Sequence, residues 1–401
     1  MRFALSYNAK TKNAYHKYSR MKKIGIVTVT NHNFGSILQT FALQIVVRKM
    51  GYDTEIIKYH EPKSKKIFRL RNKEYAVSRL KMLFKYFIMT LRFRKGRNKL
   101  KLRFTTFKKF VDKELFFSKA CTNKKELTNI SKSYGTILLG SDQVWHPMNL
   151  YMDFFTLSFV PAEVNKVAYA PSFGVSSLPK SHRKSYKKFI SRFNYLSCRE
   201  ESGVKLIKRL TGKNAQWVCD PTILLSSTDW LPYLSDKVKF ESKYVFCYFI
   251  GDNPSQRLIV KQFASERGLK VIGLLHIDEY IPNDESYTDY APYDIGPSEF
   301  LYLIKNAKYV MTDSFHATVF SLLFHNNFYT FNRFENRRGK PTTSRIDSLL
   351  TIVNLSDRKV PNQPSMDYFN QVQKINFDDI DSKLAAFRQS SIEYLKNALK
   401  V

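Results

Sequence analysis

The sequence predicts an α/β protein of two Rossmann-like domains facing a cleft, with a basic helical insertion in the first domain. Three observations carry that reading. Short β-branched apolar runs alternate with helix-length segments along most of the chain. The alternation restarts after a break at Ser226–Glu241. A length of 401 residues also exceeds what one hydrophobic core usually supports.

The elements follow in order. Lys22–Thr30 is a β-branched apolar run, as expected of a buried parallel strand. It leads through Asn31–Ser36 into a helix over Ile37–Met50, which Gly51 stops, and Thr54–Tyr59 is the next strand. Gly135–Gly140 and Lys166–Ala170 are further strands. A helix around His182–Phe193, a strand over Asn194–Cys198, a helix over Glu201–Leu210 and a strand over Gln216–Cys219 complete the first set. The second set begins near Lys243. It has strands at Tyr244–Ile250, Leu269–Leu275, Tyr309–Thr312 and Phe328–Phe331, and helices at Ser255–Glu266, Ser298–Asn306 and Phe315–Phe324. Ser298 is the expected N-cap of its helix, and the Pro/Asp/Tyr-rich stretch Glu279–Ile295 is expected to be a loop. The domain bounds are then 21–228 and 238–378, with a disordered extension at 1–20 and a final helix in 379–401.

Composition narrows the class. An apolar share of 43%, with 15% aromatics, excludes a disordered chain. Cys121, Cys198, Cys219 and Cys247 form no CxxC pair, which argues against a zinc ribbon and against a disulfide-stapled secreted module. Met1–Arg20 lacks an apolar signal region, and no uncharged apolar run reaches the roughly 18 residues of a membrane span. A cytoplasmic protein is expected, peripheral at the inner face of the cell membrane if its charge serves that purpose.

That charge is concentrated. The formal net charge is +32, and 60–110 holds 18 Lys+Arg against Glu61 and Glu74. Within it, Leu80, Leu83, Phe84, Phe87, Ile88 and Leu91 follow a helical apolar stripe. Two readings stand side by side: a basic amphipathic helix on an anionic membrane surface, or a core-packing helix with a solvated basic face. No nucleic-acid motif accompanies the charge, so no specific nucleic-acid partner is expected.

In open α/β sheets, ligands bind beyond the carboxyl ends of the strands. That rule selects the turns at Asn33–Gln39, Gly140–His146, Pro171–Gly174, Arg199–Gly203, Gly251–Pro254 and Thr312–Ala317. In the last, Asp313 or Ser314 caps a helix whose first turn carries His316, an arrangement suited to an anion; a locally packed histidine is the plain alternative. Arg199 emerges where a strand becomes a helix and offers planar bidentate donors, unless Glu200 or Glu201 engages it. Gly140, Ser141, Asp142, Gln143 and Trp145 form a set suited to a sugar, with Asp142 a base or the holder of an Asx turn. Asn33, Gly35, Ser36 and Gln39 do not spell a dinucleotide fingerprint. No metal-ligand cluster is visible.

Taken together, Asn33-Phe-Gly-Ser-Ile-Leu-Gln, Gly140-Ser-Asp-Gln-Val-Trp, Tyr169-Ala-Pro-Ser-Phe-Gly, Arg199-Glu-Glu-Ser-Gly, Asp220-Pro-Thr-Ile-Leu-Leu and Thr312-Asp-Ser-Phe-His-Ala-Thr resemble the polysaccharide pyruvyl transferase family from Ile24 to about Leu350. The resemblance implies a GT-B-like fold. It also implies phosphoenolpyruvate as donor substrate, no cofactor, and a glycan or lipid-linked sugar acceptor, with the first domain on the acceptor side and the second on the donor side. Carried over by position, the family's donor-binding arginine and histidine correspond to Arg199 and His316; the chemistry makes Asp142 or Asp313 the candidate base. Ser172, Ser314, Phe315 and Arg345 complete the expected substrate-binding set; Arg345, Arg337, Arg338 and Lys340 either add positive potential near the phosphates or are solvated loop charges. Two other functions remain compatible with the residues. One is a nucleotide-sugar glycosyltransferase or epimerase using the Gly251–Pro254 turn, since fold does not fix function. The other is a non-catalytic protein that binds anionic surfaces.

Overall fold

The computed structural model describes residues 23–30, 33–62, a scatter of positions between 76 and 91, 96–149, 153–276, 282–333 and 344–400. The expected extension at 1–20 and the charges at 337, 338 and 340 lie outside the described residues.

Two parallel four-stranded sheets form the framework. The first contains β1 (Lys23–Val27), β2 (Asp53–Ile56), β3 (Thr136–Leu139) and β4 (Asn165–Ala168), in the order β2-β1-β3-β4. Ile24 pairs with Thr54 on one side and Thr136 on the other. A parallel pair, β5 (Ser197–Cys198) with β6 (Gln216–Trp217), extends it through a bridge from Val167 to Tyr195. The second sheet contains β7 (Tyr244–Tyr248), β8 (Lys270–Gly273), β9 (Tyr309–Thr312) and β10 (Asn327–Thr330), in the order β10-β9-β7-β8. Every residue of β3 and β4 is buried. That burial explains their apolar runs, since a parallel sheet is covered on both faces. In each sheet the first strand has neighbours on both sides, so the chain reverses direction across the sheet at β1/β3 and at β7/β9. Those switch points open crevices at the strand carboxyl ends.

The two sheet units share a core. The helix Phe34–Lys49, expected from Ile37, starts at Asn33, whose side chain accepts the Ser36 N–H. Thirteen of its sixteen residues are buried, as befits a helix apolar on all faces and wedged between layers. Phe34 stacks on Phe300 of the second unit with centroids 4.4 Å apart, and Phe41 packs on Trp230, which meets Phe320. Phe41→Ala would cost about 3–5 kcal/mol here. The helix Phe377–Leu399 returns to the first unit, where Tyr394 donates to the Ala168 carbonyl at 2.8 Å and Arg388 to that of Ile223 at 2.6 Å.

Three expectations need correction. The stretch expected to be a loop contains a helix, Pro282–Tyr287, anchored where buried Asp284 accepts from Arg257 Nε at 2.9 Å. A buried ion pair there overrides a polar composition. The helix expected to be capped by Ser298 spans Pro297–Lys305 and is capped from Gly296, whose N–H donates to the Glu299 carboxylate at 2.9 Å. Finally, the basic insertion is not one body. Its helix Gly96–Glu114 is built into the joint between the units, with Phe107 on Phe34 and buried Arg103 donating to the carbonyls of Leu275 and Pro292. The described positions between 76 and 91 are helical but exposed, so they do not form a core-packing helix.

Candidate active site

Both switch points open onto one cavity of about 500 Å³. The first unit lines it with Thr28, Asn33 and Ser36 beyond β1, Asp142 and Gln143 beyond β3, and an aromatic wall of Tyr59, Phe154, Phe155 and Phe159. The second unit contributes Ile250 beyond β7, Ser314, Phe315 and His316 beyond β9, and Arg333 and Arg345.

Asp142 reaches the cavity because the turn after β3 puts it in left-handed backbone, φ +72°, a conformation that Asp tolerates better than most residues. Its Oδ1 accepts the Gln143 N–H at 2.9 Å and its Oδ2 accepts the Ser36 hydroxyl at 2.8 Å. Burial pushes its carboxyl up, but the charges of Arg199, His316 and Arg345 outweigh burial and hold it below the ordinary carboxylate value.

His316 sits in the first turn of the helix Phe315–Leu323, where Ser314 accepts the Ala317 N–H at 3.4 Å. Ser314, not Asp313, is the cap. The imidazole lies directly on Gly35: a Cβ there would stand 2.0 Å from Nδ1. That close approach is the reason a side chain is excluded at Gly35. Its Nε2 lies 3.6 Å from Asp220 Oδ2, within ion-pair range but without a hydrogen bond.

Arg199 and His316 do converge, but on Asp220. Arg199 Nη1 donates to Asp220 Oδ2 at 2.5 Å, and its Nη2 lies 3.7 Å from Asp142 Oδ1. Neither Glu200 nor Glu201 takes that role; Glu200 accepts from Ser172 instead. The guanidinium lies against the Phe315 ring at 4.7 Å and does not line the cavity. The expected direct clamp by Arg199 is therefore corrected to a buried pair behind the cavity wall. The buried Asp220 carboxylate also accepts from Ser141 at 3.1 Å and, through Oδ1, from the Thr222 N–H and hydroxyl. Burial pushes this carboxyl up too, yet His316, Arg199 and these donors hold it far below its ordinary value.

The cations that line the cavity are Arg345 and Arg333 from the second unit and Lys124 from the first. Arg345 is buried, and its Nε has no hydrogen-bond partner. Burial first, then the neighbouring charges of Arg199 and Arg333, lowers its pKa to about 10. A cation so poorly compensated would be stabilised by an arriving anion.

Several expected ligand contacts are supports instead. Asp313 is buried, does not line the cavity, and accepts the N–H groups of Ile250 and Gly251, each at 2.7 Å, so it is not placed to act as a base. Gln39 is buried and ties its helix to Thr28 at 3.0 Å. Gly140 packs on Thr28, Ser141 is covered, and Ser172 holds Glu200. Trp145 is core, packed on Phe173 and Phe193, rather than a sugar platform. Reading the sequence also missed Asp220, Arg333 and the aromatic wall. In the sequence Asp220-Pro221 marks the stop of a strand; the structure adds that Asp220 caps the Thr222 N–H, and nothing local shows that its second oxygen serves another element.

A two-unit α/β protein with a cavity beyond its strand ends, lined by arginines on one side, is thus defined. The chain belongs to the polysaccharide pyruvyl transferase family, whose family model matches residues 33–333. No curated protein matches it. Similar solved structures include the UDP-GlcNAc 2-epimerase of Neisseria meningitidis, at 10% identity and TM-score 0.47, covering 94% of this chain and 100% of that one. That of Methanocaldococcus jannaschii matches at 13% and 0.46, covering 90% and 92%. Arabidopsis thaliana UGT89C1 matches at 9% and 0.42, covering 94% and 93%.

Proposed function

We propose that the chain transfers the pyruvyl group of phosphoenolpyruvate to two hydroxyls of one sugar in a glycan or lipid-linked precursor, giving a cyclic ketal and phosphate. The observation that carries this reading is the under-compensated Arg345 beside Arg333 and His316. A small donor bearing a carboxylate and a phosphate matches that wall, and the amino end of the helix Phe315–Leu323 adds its dipole. The aromatic wall suits the apolar face of a sugar ring, and Asp142 its hydroxyls.

The chemistry follows from those positions. A proton drawn from solvent adds to the donor's methylene carbon and makes the adjacent carbon oxocarbenium-like; the proton that Asp142 takes up in the next step returns to solvent, so the exchange balances. An acceptor hydroxyl then bonds to that carbon and gives its proton to Asp142, which the arginines keep ionised. The second hydroxyl of the sugar displaces phosphate from the same carbon, and its proton leaves with the phosphate. His316 and Arg345 stabilise the departing anion. Arg199 acts from behind, fixing Asp220, which in turn faces His316.

The nucleotide-sugar alternative is less well supported, because the turn it would use is already engaged. Gly251 N–H donates to Asp313, and Arg257 takes the carbonyls of Gly251 and Asn253 at 2.7 and 3.1 Å. The test incubates the protein with phosphoenolpyruvate and galactosyl, mannosyl and glucosaminyl acceptors, free and lipid-linked. Acceptor-dependent phosphate release with an acid-labile pyruvyl mass gain is expected. Tight binding of a uridine or guanosine diphosphate, with no phosphate released on any acceptor, would overturn the reading.

A further inference from the structure

We propose that the segment bearing the described helical positions between 76 and 91 docks the protein on an anionic lipid bilayer. Val77, Leu80, Leu83, Phe84, Phe87 and Leu91 are 50–66% exposed. Placed on one helix, they fall within an arc of about 120°, and Arg79 and Lys81 lie to either side of it. Soluble proteins seldom leave six large apolar side chains on one open face without a use for it.

Charge selects the occupant. The surrounding segment 60–110 carries 18 cationic residues against two acids, so a second copy of the chain would bring like charge onto like charge. A nucleic acid would match the charge but leave the apolar arc in water. An interface with both an anionic surface and an acyl layer beneath it satisfies both features, and this is how a basic amphipathic helix binds in the plane of a membrane. The described helices include none long and apolar enough to cross a membrane, so the contact is peripheral. The proposal does not depend on the transferase reading.

The test uses the full chain, co-sedimented with vesicles of phosphatidylcholine alone or mixed with phosphatidylglycerol. Binding is expected only to the mixed vesicles and should fall as salt rises. A Leu80→Glu/Phe84→Glu/Phe87→Glu variant should keep its melting temperature, since these side chains are exposed. Its partition onto the mixed vesicles should drop by about tenfold or more. Wild-type protein left in the supernatant with the mixed vesicles at low salt would overturn the proposal. So would a variant that still sediments like wild type, or one whose only change in light scattering is conversion of a dimer to monomers.

Discussion

The two walls of the cavity are built from opposite materials. The second unit supplies cations and a helix amino end: His316, Arg333, Arg345 and the Ser314 cap. The first supplies carboxylates at Asp142, Glu61 and Asp153, one cation at Lys124, and an aromatic face at Tyr59 and Phe154, whose rings stack 5.2 Å apart. On the proposed function, the cationic wall takes a small polyanion and the other a polyhydroxylated ring. Arg199, although it belongs to the first unit, works for the cationic wall through Asp220. The contrast shows that a buried arginine reports little about ligand contact until its carboxylate partners are counted.

The contrast breaks most readily at Arg345. Arg345→Ala should lower kcat/KM for phosphoenolpyruvate by about a thousandfold, with little change in acceptor KM and no loss of folded protein. Steady-state kinetics with each substrate varied in turn would show it; a loss confined to the acceptor would invert the assignment. His316→Ala should cost about a hundredfold in kcat, and Gly35→Ala should approach it by pushing the imidazole out of line. A Gly35→Ala enzyme with full activity would remove His316 from the mechanism.

Asp220→Asn sharpens the role of Arg199. It strips a buried guanidinium of its counter-charge, so a stability loss of about 3–5 kcal/mol in denaturant unfolding should accompany the loss of activity. The pH profile gives the sign. Asp142 and Asp220 have carboxyls held below their unfolded values. Their contribution is therefore complete above pH about 4 and drains away as pH falls below it. Asp142→Asn should flatten that acid slope; a slope unchanged in both variants would contradict the ion network. The smallest effect belongs to the aromatic wall: Phe154→Ala should raise acceptor KM about tenfold and leave the donor KM unaltered.

Much of the framework was legible in the chain. β9 spans the apolar run Tyr309–Thr312, and the helix after it begins at Phe315 as read. Such elements are local, written in periodicity and caps. Asp142, Ser36 and His316 were found because strand ends point into a crevice whatever the detailed packing. Side chains whose partners are distant in sequence were not legible. Arg199 finds Asp220 and Asp142, and Trp145 turns inward onto Phe173, because tertiary packing decides which way a residue beside a turn faces. Tyr59 and Phe154 are nearly a hundred positions apart and become one wall only after the first sheet closes.

Donor binding separates the walls most directly. Calorimetric titration of phosphoenolpyruvate should give a similar dissociation constant for wild type and Phe154→Ala, and binding weakened by about two orders of magnitude or more for Arg345→Ala. Equal affinity in Arg345→Ala and wild type, or a loss confined to Phe154→Ala, would contradict a donor site on the cationic wall.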